Sequence, residues 1–104
     1  MAEPVLVGEV KQLAKGEGRT FVVGGRRVAV FYTRSGDIFA TQAECPHSGG
    51  PLADGLVGGT TVICPLHDRM YDLRTGDGPE HECGLEVFPV TLGEDGKIWV
   101  SLAD

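Results

Sequence analysis

The sequence predicts an all-β domain, and three observations carry that prediction. Glycine supplies 16 of the 104 residues and proline 6, a composition rich in turn formers and poor for helices. Short runs of Val, Ile, Phe and Tyr recur at strand length, punctuated by Gly- and Asp-containing dipeptides. No stretch holds the periodicity of an amphipathic helix for more than a turn or two. The length suits one small domain, and Leu, Ile, Val and Phe make up about 27% of the chain, above the roughly 20% floor typical of disordered chains.

The elements follow in order. Val5, Val7 and Val10 predict a first strand with Gly8 as its weak point, and residues 11–19 are polar and Gly-rich and read as a loop. Thr20–Val23 and Arg26–Thr33 flank Gly24-Gly25, a hairpin signal because both turn positions can take positive φ. Within the second run Val28, Val30 and Tyr32 alternate with Ala29 and Phe31, so both faces of that strand are expected to be partly buried. Ser35-Gly36-Asp37 is a second turn and Ile38–Gln42 the next strand, and together these segments are expected to form an antiparallel meander. Near the other end Leu85–Leu92 reads as a strand, with an edge or bulge at Pro89, which lacks an N–H. After a turn at 94–97, Ile98, Val100 and Leu102 alternate in a last strand. Phe88 and Trp99 are core candidates.

The middle of the chain differs. It is dense in Gly and Pro, only 60–63 and 70–73 could be strands, and it has almost no apolar core of its own. Something other than hydrophobic burial is expected to hold it, and in so small a unit a metal is the usual answer. The domain therefore divides into a β base, residues 1–42 and 80–104, and an inserted segment, residues 43–79.

The formal charge of −6 argues against nucleic acid and against an anionic membrane surface, both of which select basic patches. Residues 1–52 carry six basic and five acidic groups, residues 53–104 three and ten. The acidic half is either a solvated face or a docking face for a basic partner. No apolar run is long enough to span a bilayer, and the first residues lack the features of a signal peptide. Three cysteines are too few for a disulfide framework, so a cytoplasmic setting with reduced thiols is expected, where a Cys pattern points to metal.

That pattern is specific. Cys45-Pro46-His47 is followed, after 16 intervening residues, by Cys64-Pro65-Leu66-His67. Each loop offers one thiolate and one imidazole, and each Cys is followed by a Pro that stiffens the loop. The ligand types would also suit Cys₂His₂ zinc, but a zinc module usually groups Cys with Cys and His with His.

On these residues the chain resembles the Rieske [2Fe–2S] proteins, in which two Cys hold one iron and two His the other. The resemblance runs along the whole chain, including a Pro-containing loop at Gly78-Pro79. Cys45–Leu52 and Cys64–Asp68 are most similar to the small subunit of NAD(P)H-dependent assimilatory nitrite reductase. They are also similar to the soluble Rieske ferredoxins of aromatic-ring dioxygenases. The resemblance implies an antiparallel β-sandwich base with an inserted cluster-binding subdomain, and a cluster held by Cys45, His47, Cys64 and His67. It implies one-electron transfer with a redox partner, first as the small subunit of an NAD(P)H-dependent nitrite reductase on a large catalytic subunit, and alternatively as a soluble ferredoxin carrying electrons from a flavin-containing reductase to an aromatic-ring oxygenase. No turnover is expected from this chain alone, since no nucleophile–base pair and no nucleotide motif is visible. Membrane-bound relatives carry an extra Cys in each loop and join the two. Gly50 and Leu66 stand in those places here, so that disulfide is not expected. High-potential relatives place a Ser where this chain has Arg69, and a Tyr that bonds a Cys sulfur where it has Tyr71. Tyr71 reads equally well as a strand residue packing under the loop. His81-Glu82-Cys83 offers too few ligands for a second metal, and Cys83 is expected to be a small packed residue.

Overall fold

The computed structural model describes residues 4–44, 51–63, 70–76 and 85–101. Ten strands are described: β1 (Pro4–Glu9), β2 (Glu17–Val23), β3 (Arg26–Tyr32), β4 (Ile38–Gln42), β5 (Leu56–Gly58), β6 (Thr61–Ile63), β7 (Met70–Asp72), β8 (Val87–Phe88), β9 (Val90–Leu92) and β10 (Lys97–Ser101). Among the described residues the only helical pieces are two 3₁₀ turns, Val10–Gln12 and Leu52–Asp54. The strands form three antiparallel sheets in the orders β2-β3-β4-β8, β1-β10-β9 and β5-β6-β7. The fold is thus the expected all-β sandwich, but its inserted unit has three strands where two were expected, because β5 pairs along the edge of β6.

The β2–β3 hairpin forms where the Gly-Gly pair predicts it. Gly24 and Gly25 take φ of 58° and 80°, and the register runs from Val23↔Arg26 to Glu17↔Tyr32. β2 therefore begins at Glu17, inside the stretch expected to be loop, because the long β3 offers it a partner along its whole length. Val10 leaves the first strand for a 3₁₀ turn. β1 also departs from the expected meander. It pairs with β10 at the far end of the chain, through Leu6↔Trp99 and Val5↔Val100, with a register shift between Leu6 and Gly8.

Pro89 marks a change of sheet. β8 pairs with β4 through Ala40↔Phe88, whereas β9 pairs with β10 through Val90↔Val100. The single residue between them has no N–H to offer either ladder, and its carbonyl accepts the Ser101 N–H at 2.9 Å.

β3 is buried on both faces, as its alternation predicts. Val28 and Val30 pack with Ala40, Phe88, Ile98 and Val100 between the first two sheets. Ala29 and Phe31 face the other way and pack with Leu52, Val62, Tyr71, Leu73 and Leu85. Two expectations fail here. The inserted unit does have an apolar core, built jointly with the back of β3, so burial and not metal alone holds it. Trp99 is 37% exposed, because alternation in β10 turns Ile98 and Val100 inward and Trp99 outward. Phe88 is buried as expected, while Leu102 lies outside the described residues.

Gly76 closes this second core. Its φ is +84°, and a Cβ there would stand 2.1 Å from the Leu85 carbonyl oxygen, while its own carbonyl accepts the Leu85 N–H at 2.6 Å. Gly76→Ala combines a left-handed backbone with a backbone clash. It is expected to destabilise the fold by more than about 1 kcal/mol, read as a lower urea midpoint at unchanged m-value. Gly24→Asn, in an open turn, should cost far less.

Candidate metal centre

All three Cys and all three His fall outside the described residues, as do Arg69 and Pro79. What is described is the frame that flanks the two Cys/His-containing stretches. The first stretch, residues 45–50, leaves β4 through Ala43 and Glu44. Glu44 and Pro51 form an antiparallel bridge, and the Leu52 N–H donates to the Ala43 carbonyl at 2.9 Å. Leu52 is fully buried in the core behind β3. The second stretch, residues 64–69, is the connection of the β6–β7 hairpin, whose register is Ile63↔Met70, Val62↔Tyr71 and Thr61↔Asp72. Each stretch is therefore six residues long with its ends held together, and a Cys is the first residue after the paired stem in both.

The stems also touch each other. A Cβ on Gly55, just past the first stem, would lie 2.2 Å from the Ile63 carbonyl, the last residue before Cys64. Only glycine permits so close an approach. Leu52 from one stem and Val62 and Tyr71 from the other share the same buried cluster. Two Cys and two His in the stretches that join these adjacent stems are the residue types a mixed Cys/His iron–sulfur centre needs. Tyr71 is 1% exposed and belongs to that cluster, as the reading of it as a packed strand residue expects.

Charged groups frame the stems. Glu44 pairs with Arg27 at 2.6 Å, and Glu86, the residue before β8, pairs with Arg26. At the end of β7 the Asp72 carboxylate accepts the Arg74 backbone N–H at 2.8 Å and faces its guanidinium at 3.4 Å. The backbone hydrogen bond first, and the guanidinium second, hold its pKa below the ordinary 3.8. Sequence reasoning passed over Gly55, Gln42 and the Arg–Glu pairs. No motif marks them, since their partners are up to 60 residues away in sequence.

An all-β frame whose adjoining stems flank two short Cys/His sequences defines the class: an iron–sulfur domain built for electron transfer. A sequence model described as the Rieske [2Fe–2S] domain matches residues 3–89, and the chain belongs to that family. The domain carries a [2Fe–2S] cluster. A Rieske domain-containing protein of Homo sapiens is 38% identical over 71% of this chain, which spans 49% of that relative's length. The anthranilate 1,2-dioxygenase ferredoxin subunit of Burkholderia cepacia is 32% identical, with 98% of this chain and 94% of that one covered. Among solved structures, a chain assigned as an NADH-dependent nitrite reductase small subunit from Mycobacterium tuberculosis superposes with a TM-score of 0.91 at 22% identity, covering 100% of this chain and 98% of that one. That likeness is one of fold. Among the described residues no helix is long and apolar enough to cross a membrane.

The Asp72 turn gives a pH signature. Its folded pKa is lowered, so its contribution is present above the ordinary value of 3.8 and is lost as pH falls through the folded value. The stability difference between wild type and Asp72→Ala should be largest near neutrality and shrink towards zero on acidification, measured by urea unfolding across that range.

Proposed function

We propose that this chain is a one-electron carrier of the soluble Rieske ferredoxin type. In this reading Cys45 and Cys64 hold one iron and His47 and His67 the other. The observation that carries it is the near end-to-end correspondence with a dioxygenase ferredoxin subunit, 98% of one chain against 94% of the other. A partner of the reductase or oxygenase kind supplies and removes the electron. The loop sequences Cys45–Leu52 and Cys64–Asp68 favour a second reading, a small subunit stably docked on the large catalytic subunit of a nitrite reductase.

The bound cluster supplies a reversible one-electron couple, with the imidazole-ligated iron as the electron-accepting site. The protein's own groups do the rest. Paired stems present the donors, the core behind β3 keeps the stems in place, and the prolines after each Cys stiffen the loops. Tyr71 and Arg69 are proposed to tune the potential. A hydroxyl bonded to a Cys sulfur stabilises the extra electron, and Arg69 stands where a Ser hydroxyl would do the same. Acidic groups of residues 53–104 oppose reduction.

Anaerobically purified protein should contain two irons and two acid-labile sulfides per chain, by the stoichiometry of the family's cluster. On reduction it should give an electron paramagnetic resonance (EPR) signal of Rieske type. Stoichiometric zinc without iron would overturn the reading. His47→Ala or His67→Ala should abolish that signal, and Cys83→Ala should leave it intact. Iron loss from Cys83→Ala as complete as from Cys45→Ala would show the ligands to be misassigned. Purification of the untagged native protein separates the two readings: a free small carrier supports the first, and a stoichiometric large subunit the second.

Tuning has its own test. The midpoint potential should fall in the lower part of the roughly −150 to +300 mV span of Rieske centres. Arg69→Ser should raise it and Tyr71→Phe should lower it, by protein-film voltammetry. A wild-type value near the top of that span, or no rise in Arg69→Ser, would refute this account of tuning.

A further inference from the structure

Gln42, the last residue of β4, makes contacts out of proportion to its plain sequence setting. Its side-chain Nε2 donates to the Glu44 carbonyl at 2.7 Å, and its Oε1 accepts the Glu86 N–H at 2.8 Å. Its own backbone N–H donates to the Glu86 carbonyl at 2.9 Å. Only one orientation of the amide satisfies both side-chain bonds, since the reversed one would set donor against donor. Glu44 is the residue before Cys45, and Glu86 is the residue before β8. One amide thus joins the residue before Cys45 to the backbone just before β8.

A second set of bonds converges on the same two residues. Neighbouring Arg27 and Arg26 on β3 take the Glu44 and Glu86 carboxylates, and the Arg26 guanidinium lies 4.9 Å from the centre of the Phe88 ring. These ion pairs are about half exposed, and such pairs contribute only about 0–1 kcal/mol each. Gln42 bonds to backbone, so it fixes main-chain position more firmly than they do.

We infer that Gln42 is a positioning residue for the cluster, setting the Glu44 carbonyl, one peptide bond from Cys45, against the backbone at Glu86, just before β8. The inference rests on the reading of Cys45 as an iron ligand. A small displacement of that peptide alters hydrogen bonding and solvent access around the bound sulfurs, on which the potential depends.

The test uses cluster-loaded protein. Gln42→Leu removes both side-chain bonds, and Gln42→Asn, one methylene shorter, cannot span both partners. Either variant should broaden and shift the EPR g values, move the midpoint potential beyond titration error, and release iron to a chelator several-fold faster than wild type. Thr33→Val, which breaks part-buried hydrogen bonds in the turn at Asp37, should lower the thermal midpoint and leave g values and potential at wild type. If both Gln42 variants behave like Thr33→Val, losing only thermal stability, the positioning role is overturned. Cys45→Ser separates the two layers. Retention of the wild-type spectrum would overturn the ligand reading and this inference with it. Loss of the spectrum beside silent Gln42 variants would overturn this inference alone.

Discussion

Burial of both faces of β3 is the constraint around which the molecule is arranged. A strand in a small antiparallel sandwich normally buries one face and wets the other. Here Val28 and Val30 are enclosed by the β1-β10-β9 sheet, and Ala29 and Phe31 by the β5-β6-β7 unit. A strand covered on both sides must have a layer on each, so the inserted unit completes the domain and is no loose appendage. Leu52 and Tyr71 hang from that layer, and the two Cys/His-containing stretches lie within a residue or two of stems anchored by them.

Local features were legible and distant ones were not. Gly24-Gly25 announces a hairpin because its turn chemistry is confined to two residues. The two-sided burial of β3 shows in its unbroken apolar run. The pairing of β1 with β10 joins opposite ends of the described chain, and no local pattern states it. Trp99 misleads for a related reason: alternation shows that one face is inward but does not say which. The middle segment looked coreless because its apolar residues are spaced singly among Gly and Pro, and they become a core only against a strand contributed from elsewhere.

The candidate site divides in the same way. Ligand types and spacing stand in the sequence, because a mixed thiolate and imidazole set needs those residues on short loops. The frame that aligns the loops does not. Gly55 is one glycine among 16, and only the proximity of the Ile63 carbonyl distinguishes it. Gln42, Arg26 and Arg27 are ordinary polar strand residues until the register brings Glu44 and Glu86 beside them.

The closed stems bear on how a cluster can be installed. Drawing together the ends of a flexible loop costs entropy that grows with the logarithm of its length. Glu44 and Pro51 are already bridged, and Ile63 and Met70 already paired, by contacts whose stability derives from the core behind β3. The cost of bringing Glu44 to Pro51, and Ile63 to Met70, is therefore met by strand pairing and the shared core. Binding energy from a cluster need not be spent on closing those two spans.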